Sequence, residues 1–291
     1  MNGKIIDWDD CKVHVINYSL HYGVAAFEGI RFYETPKGIS IFRLKDHMKR
    51  LLNSAKTFQI PAKYKSEELV EAAKEIVKES KLISGYIRPI IYYDGGKLSL
   101  HAINTEISTV IAVLPWGKYL ENNSIKVLPS SYMRHHPKSL PMDAKVSGYY
   151  VNSVLAVQEA RRKGFDEALL LDHNNNVAEG PGENFFMVKK NVLMTPPLGN
   201  ILPGITRDCI IQIAKDEGIK VQEKNFSLEE AKNADEAFFT GTAAEVTPIS
   251  HIDKKIIGDG NVGLVTTKLK DIYHDIVTGK NNKYDKWLDY V

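Results

Sequence analysis

The fold of the N-terminal half is decided by the stretch FEGIRFYETPKGISIFRL, residues 27–44. Two runs rich in aromatic and β-branched residues flank Pro36-Lys37-Gly38, and this arrangement predicts antiparallel strands joined by a tight turn. Strands are also predicted for residues 12–15, where apolar and polar residues alternate, and for the apolar runs 86–93 and 108–114. The N-terminal half therefore contains a sheet.

Two amphipathic helices are predicted between these strands. Apolar residues recur at helical spacing in both, and we expect Ser66 to cap the second helix. One buried face on each helix, together with the strands, favours an α+β domain. The apolar positions are Met48, Leu51, Leu52 and Ala55 in the first helix and Leu69, Ala72, Ala73, Ile76 and Val77 in the second.

An interdomain connection is predicted at residues 116–124, where the polar stretch WGKYLENNS interrupts the apolar pattern. It separates a small N-terminal domain, residues 1–115, from a larger C-terminal domain, residues 125–291. In the second domain, a helix near residues 150–163 and another from LPGITRD to Gly218 mix with short strands, without a regular β–α–β alternation. This order disfavours a doubly wound parallel sheet, and we predict an α+β fold of two domains.

The composition of the 291 residues is that of a globular protein, with 43% apolar and 25% charged residues. Lys and Arg number 38 against 36 Asp and Glu, without a basic stripe interleaved with aromatic residues, so nucleic acid is a poor candidate partner. The apolar run at 109–116 is far shorter than the roughly 20 residues that span a bilayer, and the N-terminus lacks a secretory pattern. We expect a cytoplasmic protein with no membrane partner.

The two cysteines, Cys11 and Cys209, lie far apart in the sequence, and neither belongs to a Cys-x-x-Cys or Cys/His spacing. The sequence therefore predicts neither a disulfide nor a metal site. Both thiols are expected to be reduced, as is usual in the cytoplasm.

Lys145, in the stretch DAKVSGYY at residues 143–150, is a candidate nucleophile. Small and aromatic residues surround it just before a predicted helix, and a lysine that its neighbours desolvate becomes nucleophilic. The pattern alone favours the ordinary interpretation, in which a lysine is a solvated surface group.

Two carboxylates, Glu179 and Glu183, bracket a Gly-Pro-Gly turn in the stretch VAEGPGENFF, residues 177–186. A rigid turn fixes an acid in place, so that it could hold a proton on a ring nitrogen. Acids in turns more often face solvent or cap neighbouring amides, and the residues alone favour this alternative.

Two loops, LPGITRD at 202–208 and TGTAAE at 240–245, place Gly and Thr ahead of a helix or a turn. Backbone N–H groups and Thr hydroxyls there suit an anion, and two such loops in one domain fit one phosphate. Helix capping explains the same residues, and neither loop matches the P-loop or the dinucleotide-binding glycine pattern.

Arg50 lies opposite the apolar stripe of the first predicted helix. By pattern alone it is a solvated cation that could pair with Asp46 one turn earlier. Tyr86, Arg88 and Trp116 could be ordinary sheet residues, although an arginine in an apolar strand needs a partner if it is buried.

Eight motifs occur in a recognisable order along the chain: HYGVAAFEGIR, HMKRLLNSAK, YIRP, LPWGKYL, AKVSGYY, EGPGEN, LPGITRD and GTAAEVTPI. This order resembles that of the branched-chain amino acid aminotransferases, which are class IV enzymes dependent on pyridoxal 5′-phosphate. The resemblance runs from about residue 12 to the C-terminal WLDYV. It implies fold type IV of these enzymes, with the cofactor at the interface of two domains, and transamination between leucine, isoleucine or valine and 2-oxoglutarate.

The resemblance assigns the cofactor site residue by residue. Lys145 matches the lysine that holds the cofactor as a Schiff base and moves a proton between the substrate Cα and the cofactor C4′. Glu179 matches the carboxylate on the pyridine nitrogen, and Tyr150 matches the tyrosine that hydrogen-bonds the ring O3′. The residues that match the phosphate site are Arg50, Ile205 through its backbone amide, Thr206 and Thr242.

The resemblance also assigns the substrate pocket. The α-carboxylate would bind Tyr86 and the backbone at Thr242 and Ala243, while Arg88 would bind the side-chain carboxylate of glutamate. In the family a neighbouring subunit completes the pocket, and Tyr22 resembles that contribution, which implies at least a homodimer. The residues that resemble the hydrophobic walls of the pocket are Phe27, Trp116, Tyr119 and Tyr150.

One segment departs from the family pattern. After YIRP the chain reads IIYYDGGKLSLHAINTE in place of a Gly-rich segment and a Val-Asn-Pro-like loop, and AKVSGYY also differs modestly from the usual continuation. The departure leaves open a D-amino acid or (R)-amine transaminase, an aminodeoxychorismate lyase and a preference for aromatic substrates. Arg88 beside Tyr86, with Trp116, favours the L-specific branched-chain interpretation.

A relative that binds the cofactor without catalysing a reaction is a further alternative. Phosphate binding alone requires none of Lys145, Glu179 and Tyr150, so their joint presence favours an enzyme.

Overall fold

The chain forms two compact units in the computed structural model, which describes residues 1–95, 98–101, 105–117 and 123–291. The first unit comprises Met1–Gly117, Ala144–Tyr149 and Val277–Val291. The second unit comprises Lys118–Asp143 and Tyr150–Ile276.

The predicted domain boundaries differ from these units in two places. Residues 144–149 and 277–291, which the sequence places in the second domain, belong to the first unit. The reason is that these residues pair with segments far away in the sequence. The last strand, Leu288–Tyr290, pairs with the second strand of the predicted hairpin, and Val146 forms an isolated bridge with Ala26.

One sheet, with six strands among the described residues, forms the first unit. Its strands are β1 (Ala25–Phe27), β2 (Ile30–Thr35), β3 (Gly38–Phe42), β4 (Gly85–Tyr93), β5 (Ile107–Leu114) and β15 (Leu288–Tyr290). The predicted hairpin is confirmed, because β2 and β3 are antiparallel with Thr35 opposite Gly38. Strands β1 and β2 pair with the same strand, β4, and keep one register, with Phe27 opposite Ile90 and Ile30 opposite Ile87. The chain thus passes through Glu28 and Gly29 without leaving the sheet.

The helices of the first unit are α1 (Tyr18–Tyr22), α2 (Leu44–Thr57) and α3 (Ser66–Ser80), with short 3₁₀ helices at Trp8–Asp10, Ser147–Tyr149 and Asn282–Trp287. The predicted apolar faces of α2 and α3 are confirmed, because all nine apolar positions are buried or half-buried. The predicted cap is wrong by one residue. Ser66 is the first helical residue, and Lys65 is the cap, with its backbone N–H donating to the Glu68 side chain at 2.8 Å.

Residues 12–15 form no strand, although their alternating pattern predicts one. All four side chains are exposed, Val13 to 51% and Val15 to 67%, so the alternation corresponds to no buried face. Alternation produces a strand only where a neighbouring strand and a core are available to bury one side.

The second unit is built on a mixed sheet, with nine strands among the described residues. These strands are β6 (Ile125–Pro129), β7 (Glu167–Leu171), β8 (Val177–Glu179), β9 (Asn184–Lys189), β10 (Val192–Thr195), β11 (Lys220–Glu223), β12 (Glu236–Gly241), β13 (Glu245–Ile252) and β14 (Lys255–Ile256). Strand β6 is parallel to both β7 and β13, and β10 is parallel to β11, while the other pairs are antiparallel. The predicted absence of a doubly wound parallel sheet agrees with this order.

The helices of the second unit are α4 (Tyr150–Arg162), α5 (Ile205–Asp216), α6 (Leu228–Lys232) and α7 (Leu264–Val277). The predicted helices at 150–163 and after LPGITRD are therefore confirmed. The core beneath the sheet includes Phe185, Phe226 and Phe239, with the ring centroids of Phe185 and Phe239 6.0 Å apart. Removing one such fully buried ring costs about 3–5 kcal/mol.

In the described part of the chain, every helix is too short or too polar to cross a membrane. Over the same residues, no group of three or more His, Cys, Asp or Glu side chains is placed to bind a metal ion. The fold is α+β, as the sequence predicts.

Candidate active site

Lys145 is fixed by its backbone to two elements of the first unit. Its N–H donates to Ser54 Oγ of α2 at 2.9 Å, and its carbonyl oxygen accepts from the backbone N–H of Phe27 at 3.1 Å. Ser54 Oγ in turn donates to the carbonyl oxygen of Arg50 at 2.8 Å. A short chain of hydrogen bonds therefore joins the candidate nucleophile to the helix that carries Arg50.

Two glycines allow this segment to approach the end of α1. Gly148 N–H donates to the carbonyl oxygen of Gly23 at 2.8 Å. Gly23 has a left-handed backbone, with φ of 69°, and a Cβ there would lie 2.8 Å from the Cα of Gly148. A side chain at either position would separate the two backbones, and Lys145 with them.

The side chains of Lys145 and Arg88 meet at one aromatic ring. Lys145 Nζ and Arg88 Cζ each lie 4.9 Å from the ring centroid of Phe27. Phe27 is 9% exposed, whereas Lys145 and Arg88 are half-buried. An amine and a guanidinium thus lie beside the same apolar surface, where both are partly desolvated.

Tyr86 and Trp116 extend this aromatic surface. Because Tyr86 and Arg88 are two residues apart on β4, their side chains share one face of the sheet. Arg88 Nη2 donates to Tyr86 Oη at 3.4 Å, and the rings of Tyr86 and Trp116 stack with centroids 4.5 Å apart. The buried Nε of Arg88 has no hydrogen-bond partner among the described residues. The guanidinium therefore retains a donor that an acidic substrate could use.

Gly29 makes room for the Tyr86 hydroxyl. A Cβ at this position would lie 1.7 Å from Tyr86 Oη and 2.6 Å from its Cζ. Any other residue there would displace the tyrosine ring from its present position.

Arg50 is held by a buried acid. Its Nε and Nη2 donate to Glu28 Oε1 and Oε2 at 2.6 and 2.9 Å, and His47 Nδ1 lies 2.7 Å from Oε2. Glu28 and His47 are fully buried. Burial by itself raises the pKa of Glu28, but the charges and hydrogen bonds of Arg50 and His47 hold that pKa well below its usual range. Burial lowers the pKa of His47, so the ring is neutral and donates from Nδ1.

Glu179 is the corresponding buried acid of the second unit. It is 3% exposed at the end of β8, and Arg134 Nε lies 2.7 Å from its Oε1. Its Oε2 accepts from Asn184 Nδ2 and from the backbone N–H of Leu202, both at 3.1 Å. A neighbouring guanidinium and two donors thus fix the position of the carboxylate.

The other candidate residues of the second unit surround the turn that follows Glu179. Asn184, at the end of this turn, also donates to the carbonyl oxygen of Leu202 at 3.0 Å, and a Cβ on Gly204 would collide with its amide oxygen. These contacts join the turn to the loop before α5. Asn184 also lies opposite Thr240 of β12, two residues before Thr242, and Ser153 of α4 donates to the carbonyl oxygen of Pro181 at 2.7 Å.

The structure thus brings four predicted pieces together within the second unit. Tyr150 is the first residue of α4, Ile205 and Thr206 are the first two residues of α5, and Thr242 and Ala243 form the turn between β12 and β13. No side chain caps the N-terminus of α5 in the described structure, so its first N–H groups point outward from the helix as an anion site requires.

The structure corrects two alternatives for candidate residues, and it leaves Tyr22 and Tyr119 outside the groups described above. Asp46 pairs with Arg43, so the alternative pairing of Arg50 with Asp46 is wrong. Glu179 and Glu183 are buried, so the alternative of solvated turn acids is wrong, whereas the alternative of amide caps agrees with the structure: Glu183 accepts from the Gly182 N–H at 3.0 Å and Glu179 from the Leu202 N–H at 3.1 Å. Tyr22, 36% exposed at the end of α1, contacts Tyr18 with centroids 4.8 Å apart. Tyr119 lies outside the described residues.

Several residues that hold the candidates in place have no counterpart in the sequence predictions. Glu28 is the clearest, because an acid inside the apolar stretch AAFEGIRF needs a counter-charge if the strand is buried. Arg134 and Asn184 carry no such local signal, since their partner Glu179 is distant in sequence or lies across a turn.

A separate cavity of about 850 Å³ in the first unit includes none of the candidate residues in its described lining. The N-terminal segment, with Ile5 and Trp8, forms one side of it, and α3 and β5 form the other. Its wall carries charges of both signs, from Lys4 and from Asp7, Glu68 and Glu75.

The candidate residues fit a cofactor that carries a carbonyl group, a ring nitrogen and a phosphate. The first unit supplies the Lys145 amine beside the Phe27 ring, and the Arg50 guanidinium, which Glu28 holds in place. The second unit supplies a buried carboxylate for the nitrogen and an uncapped helix N-terminus for the phosphate. Pyridoxal 5′-phosphate carries all three of these groups.

Residues 25–252 match the model of the family described as amino-transferase class IV, and the chain belongs to this family. The branched-chain-amino-acid aminotransferase of Pseudomonas aeruginosa is 43% identical over 294 residues, covering 100% of this chain and 96% of the relative. The crystal structure of the branched-chain aminotransferase from the archaeon Thermoproteus uzoniensis with norvaline superposes with a TM-score of 0.96 at 44% identity, covering 99% of this chain and 97% of the solved chain. The branched-chain amino acid aminotransferase of Thermobaculum terrenum in its PLP-form gives a TM-score of 0.94 at 36% identity, over 99% of this chain and 96% of the solved chain.

Proposed function

We propose that this protein is a pyridoxal-phosphate-dependent branched-chain amino acid aminotransferase, which moves an amino group reversibly between leucine, isoleucine or valine and 2-oxoglutarate. The observation that carries the proposal is the placement of Lys145 Nζ and the Arg88 guanidinium at equal distances from the Phe27 ring. The similarity of the whole chain to relatives of this name supports it.

Lys145 would hold the cofactor through its amine. When bound, pyridoxal phosphate supplies an electron sink that stabilises negative charge on the substrate Cα. The Lys145 amine would then move the proton between the substrate Cα and the cofactor C4′. Its backbone is fixed at both N–H and carbonyl, which restricts where the amine can lie.

Glu179 would hold a proton on the pyridine nitrogen. Its carboxylate is oriented by Arg134, Asn184 and the Leu202 amide before any ligand binds, so little reorganisation is required. Tyr150 would donate to the ring O3′. The phosphate would bind Arg50, the backbone amide of Ile205, and the Thr206 and Thr242 side chains.

The substrate pocket would combine an apolar wall with one cation. Phe27, Tyr86 and Trp116 suit a branched aliphatic side chain, and Arg88 would bind the distal carboxylate of glutamate. Tyr86 and the backbone at Thr242 and Ala243 would bind the α-carboxylate. Tyr119 keeps its assignment to the pocket wall as a proposal from the sequence alone.

We assign the enzyme to the cytoplasm and to a homodimer or larger homo-oligomer. Cys11 is exposed and Cys209 is buried in α5, and the two form no disulfide, as suits a reducing compartment. Tyr22 is partly exposed at the end of α1, where it could complete a pocket of a second subunit.

A half-reaction panel tests the proposed function. The cofactor-loaded protein is mixed with single amino acids without an acceptor, and the cofactor spectrum reports amino-group transfer. We expect L-leucine, L-isoleucine, L-valine and L-glutamate to change the spectrum and D-alanine to leave it unchanged. A response to D-alanine with none to L-leucine would overturn the substrate assignment in favour of a D-amino acid transaminase.

A further inference from the structure

Glu28, His47 and Arg50 form a buried ionic cluster in the first unit, and the proposed reaction uses only the arginine. The acid joins the other two residues through one carboxylate. Glu28 lies on the strand path between β1 and β2, and its backbone N–H donates to the carbonyl oxygen of Pro89 at 2.9 Å. The acid is therefore anchored to the sheet, while His47 and Arg50 come from α2.

The carboxylate of Glu28 is saturated with donors. Oε1 accepts from Arg50 Nε, and Oε2 accepts from Arg50 Nη2, from His47 Nδ1 and, at 3.3 Å, from the Gly29 amide. The two contacts with Arg50 form a bidentate pair, which fixes the plane of the guanidinium as well as its position.

His47 supports the acid without competing for its charge. The ring is fully buried, its Nδ1 donates to Glu28, and its Nε2 has no hydrogen-bond partner among the described residues. Burial lowers the pKa of His47, so Arg50 is the counter-ion of Glu28. The histidine thus fixes the second oxygen of the carboxylate while remaining neutral.

We propose that Glu28, braced by His47, is a positioning residue that fixes the guanidinium of Arg50 for binding the cofactor phosphate. The inference rests on the proposed function, in which Arg50 binds that phosphate. A long arginine side chain loses considerable rotamer freedom when it binds a ligand, and prior fixation removes most of that cost.

The charge of Glu28 and its orientation of Arg50 have opposite effects on phosphate affinity. Glu28 is negative, so it repels a phosphate dianion, and removing its charge should strengthen phosphate binding if charge alone decides. If orientation decides, removing the charge should weaken binding, because Arg50 loses its bidentate partner. Glu28→Gln separates the two, since glutamine keeps the shape of the side chain.

The experiment compares two probes that differ only in the phosphate. The full-length apo-protein is titrated with pyridoxal 5′-phosphate and with pyridoxal, and both dissociation constants are measured from the cofactor spectrum. For Glu28→Gln we expect pyridoxal phosphate to bind about 10- to 100-fold more weakly, the range for a lost hydrogen bond to a charged group. Pyridoxal affinity should stay within about twofold of wild type, because pyridoxal makes no phosphate contact.

Glu34→Gln is the matched control, because Glu34 is exposed on the neighbouring strand β2 and loses the same charge. It should bind both probes like wild type. Unchanged or tighter binding of pyridoxal phosphate to Glu28→Gln would overturn the proposal. Equal weakening of both probes would also overturn it, since a general structural defect has that effect.

His47 variants keep the proposal testable if Glu28→Gln does not fold. His47→Phe removes the Nδ1 donor but leaves the Glu28–Arg50 pair, and we expect a loss of about three- to tenfold for pyridoxal phosphate alone. His47→Asn should restore most of the affinity, because its amide can donate to Glu28. No selective loss in His47→Phe would contradict the proposal. A wild-type chain that binds neither probe would instead refute the proposed function, and this inference with it.

Discussion

Replacing Arg88 by leucine should convert the protein into an aminotransferase that still accepts leucine but discriminates against glutamate. The guanidinium lies between the Phe27 and Tyr86 rings, with Cζ 4.9 and 5.4 Å from their centroids. Its Nε is a buried donor without a hydrogen-bond partner among the described residues. The residue is therefore placed to bind a carboxylate and has little to offer an aliphatic side chain.

The expected magnitude follows from the contacts that are lost. A hydrogen bond to a charged group contributes about 1.5–3 kcal/mol, which corresponds to a loss of about 10- to 150-fold in kcat/KM for L-glutamate. L-leucine should lose no more than about fivefold, since it loses only the support of a partly exposed cation–π contact of about 0.5–1 kcal/mol. The ratio of kcat/KM for L-glutamate to that for L-leucine should thus fall by about 10- to 150-fold if leucine is unaffected, and by at least about twofold if leucine loses the full ~1 kcal/mol.

The assay is the single-turnover half-reaction of the cofactor-loaded protein with each donor, measured over a range of concentrations. Arg162→Leu is the control for loss of a positive charge, because Arg162 is exposed at the end of α4. It should leave both donors unchanged. Equal losses for glutamate and leucine in Arg88→Leu would refute the reasoning, because they would assign Arg88 to the architecture of the pocket.

Two further predictions concern residues that support the site, and a third concerns Glu167, a buried acid of β7. Asn184→Ala removes the amide that joins Glu179 to Leu202 and should lower the free energy of unfolding in urea by about 1–3 kcal/mol; unchanged stability would contradict this. Gly29→Ala should force the Tyr86 ring aside, raise KM for both donors and cost about 1–3 kcal/mol, while pyridoxal affinity stays at the wild-type value; normal KM values would count against the steric argument. Burial raises the pKa of Glu167 from 4.5 to about 7, so the folded protein retains a proton that the unfolded chain releases, and stability should fall as the pH rises from about 4.5 to about 7. Glu167→Gln should flatten this fall in urea titrations across that window, and an unaltered slope would exclude Glu167 as its source.

Local patterns predict local structure well in this chain. The hairpin around Pro36-Lys37-Gly38 and the buried faces of α2 and α3 follow from turn chemistry and helical spacing, and both are present. The same kind of pattern fails at residues 12–15, where alternation has no neighbouring strand to bury it. Local sequence thus sets a preference that packing must then fulfil.

Pairings between distant segments could not be predicted from the sequence. Leu288–Tyr290 joins the first sheet although it lies at the end of the chain, so the predicted boundary at residue 125 assigns it to the wrong unit. Arg50 has a nearer acid in Asp46, yet it pairs with Glu28, 22 residues earlier, because Glu28 is fully buried and needs a counter-charge that the half-buried Arg50 supplies. Nothing in the spacing distinguishes these partners.

The candidate site shows the same division. The residues expected to touch the cofactor follow from motifs, and the structure groups them within each unit around Phe27 and around the turn after Glu179. The residues that hold them, such as Arg134 and Asn184, depend on tertiary contacts. Buried charges require partners, so an acid in an apolar run is a signal that a support exists, although it does not say which residue supplies it.

Reduction of the cofactor-loaded protein with borohydride, followed by peptide mapping, identifies the lysine that holds the cofactor. We expect the pyridoxyl phosphate group on the peptide that contains Lys145, and no such label on Lys145→Ala. Label on a different lysine, or a protein that holds the cofactor yet yields no labelled peptide, would contradict this assignment.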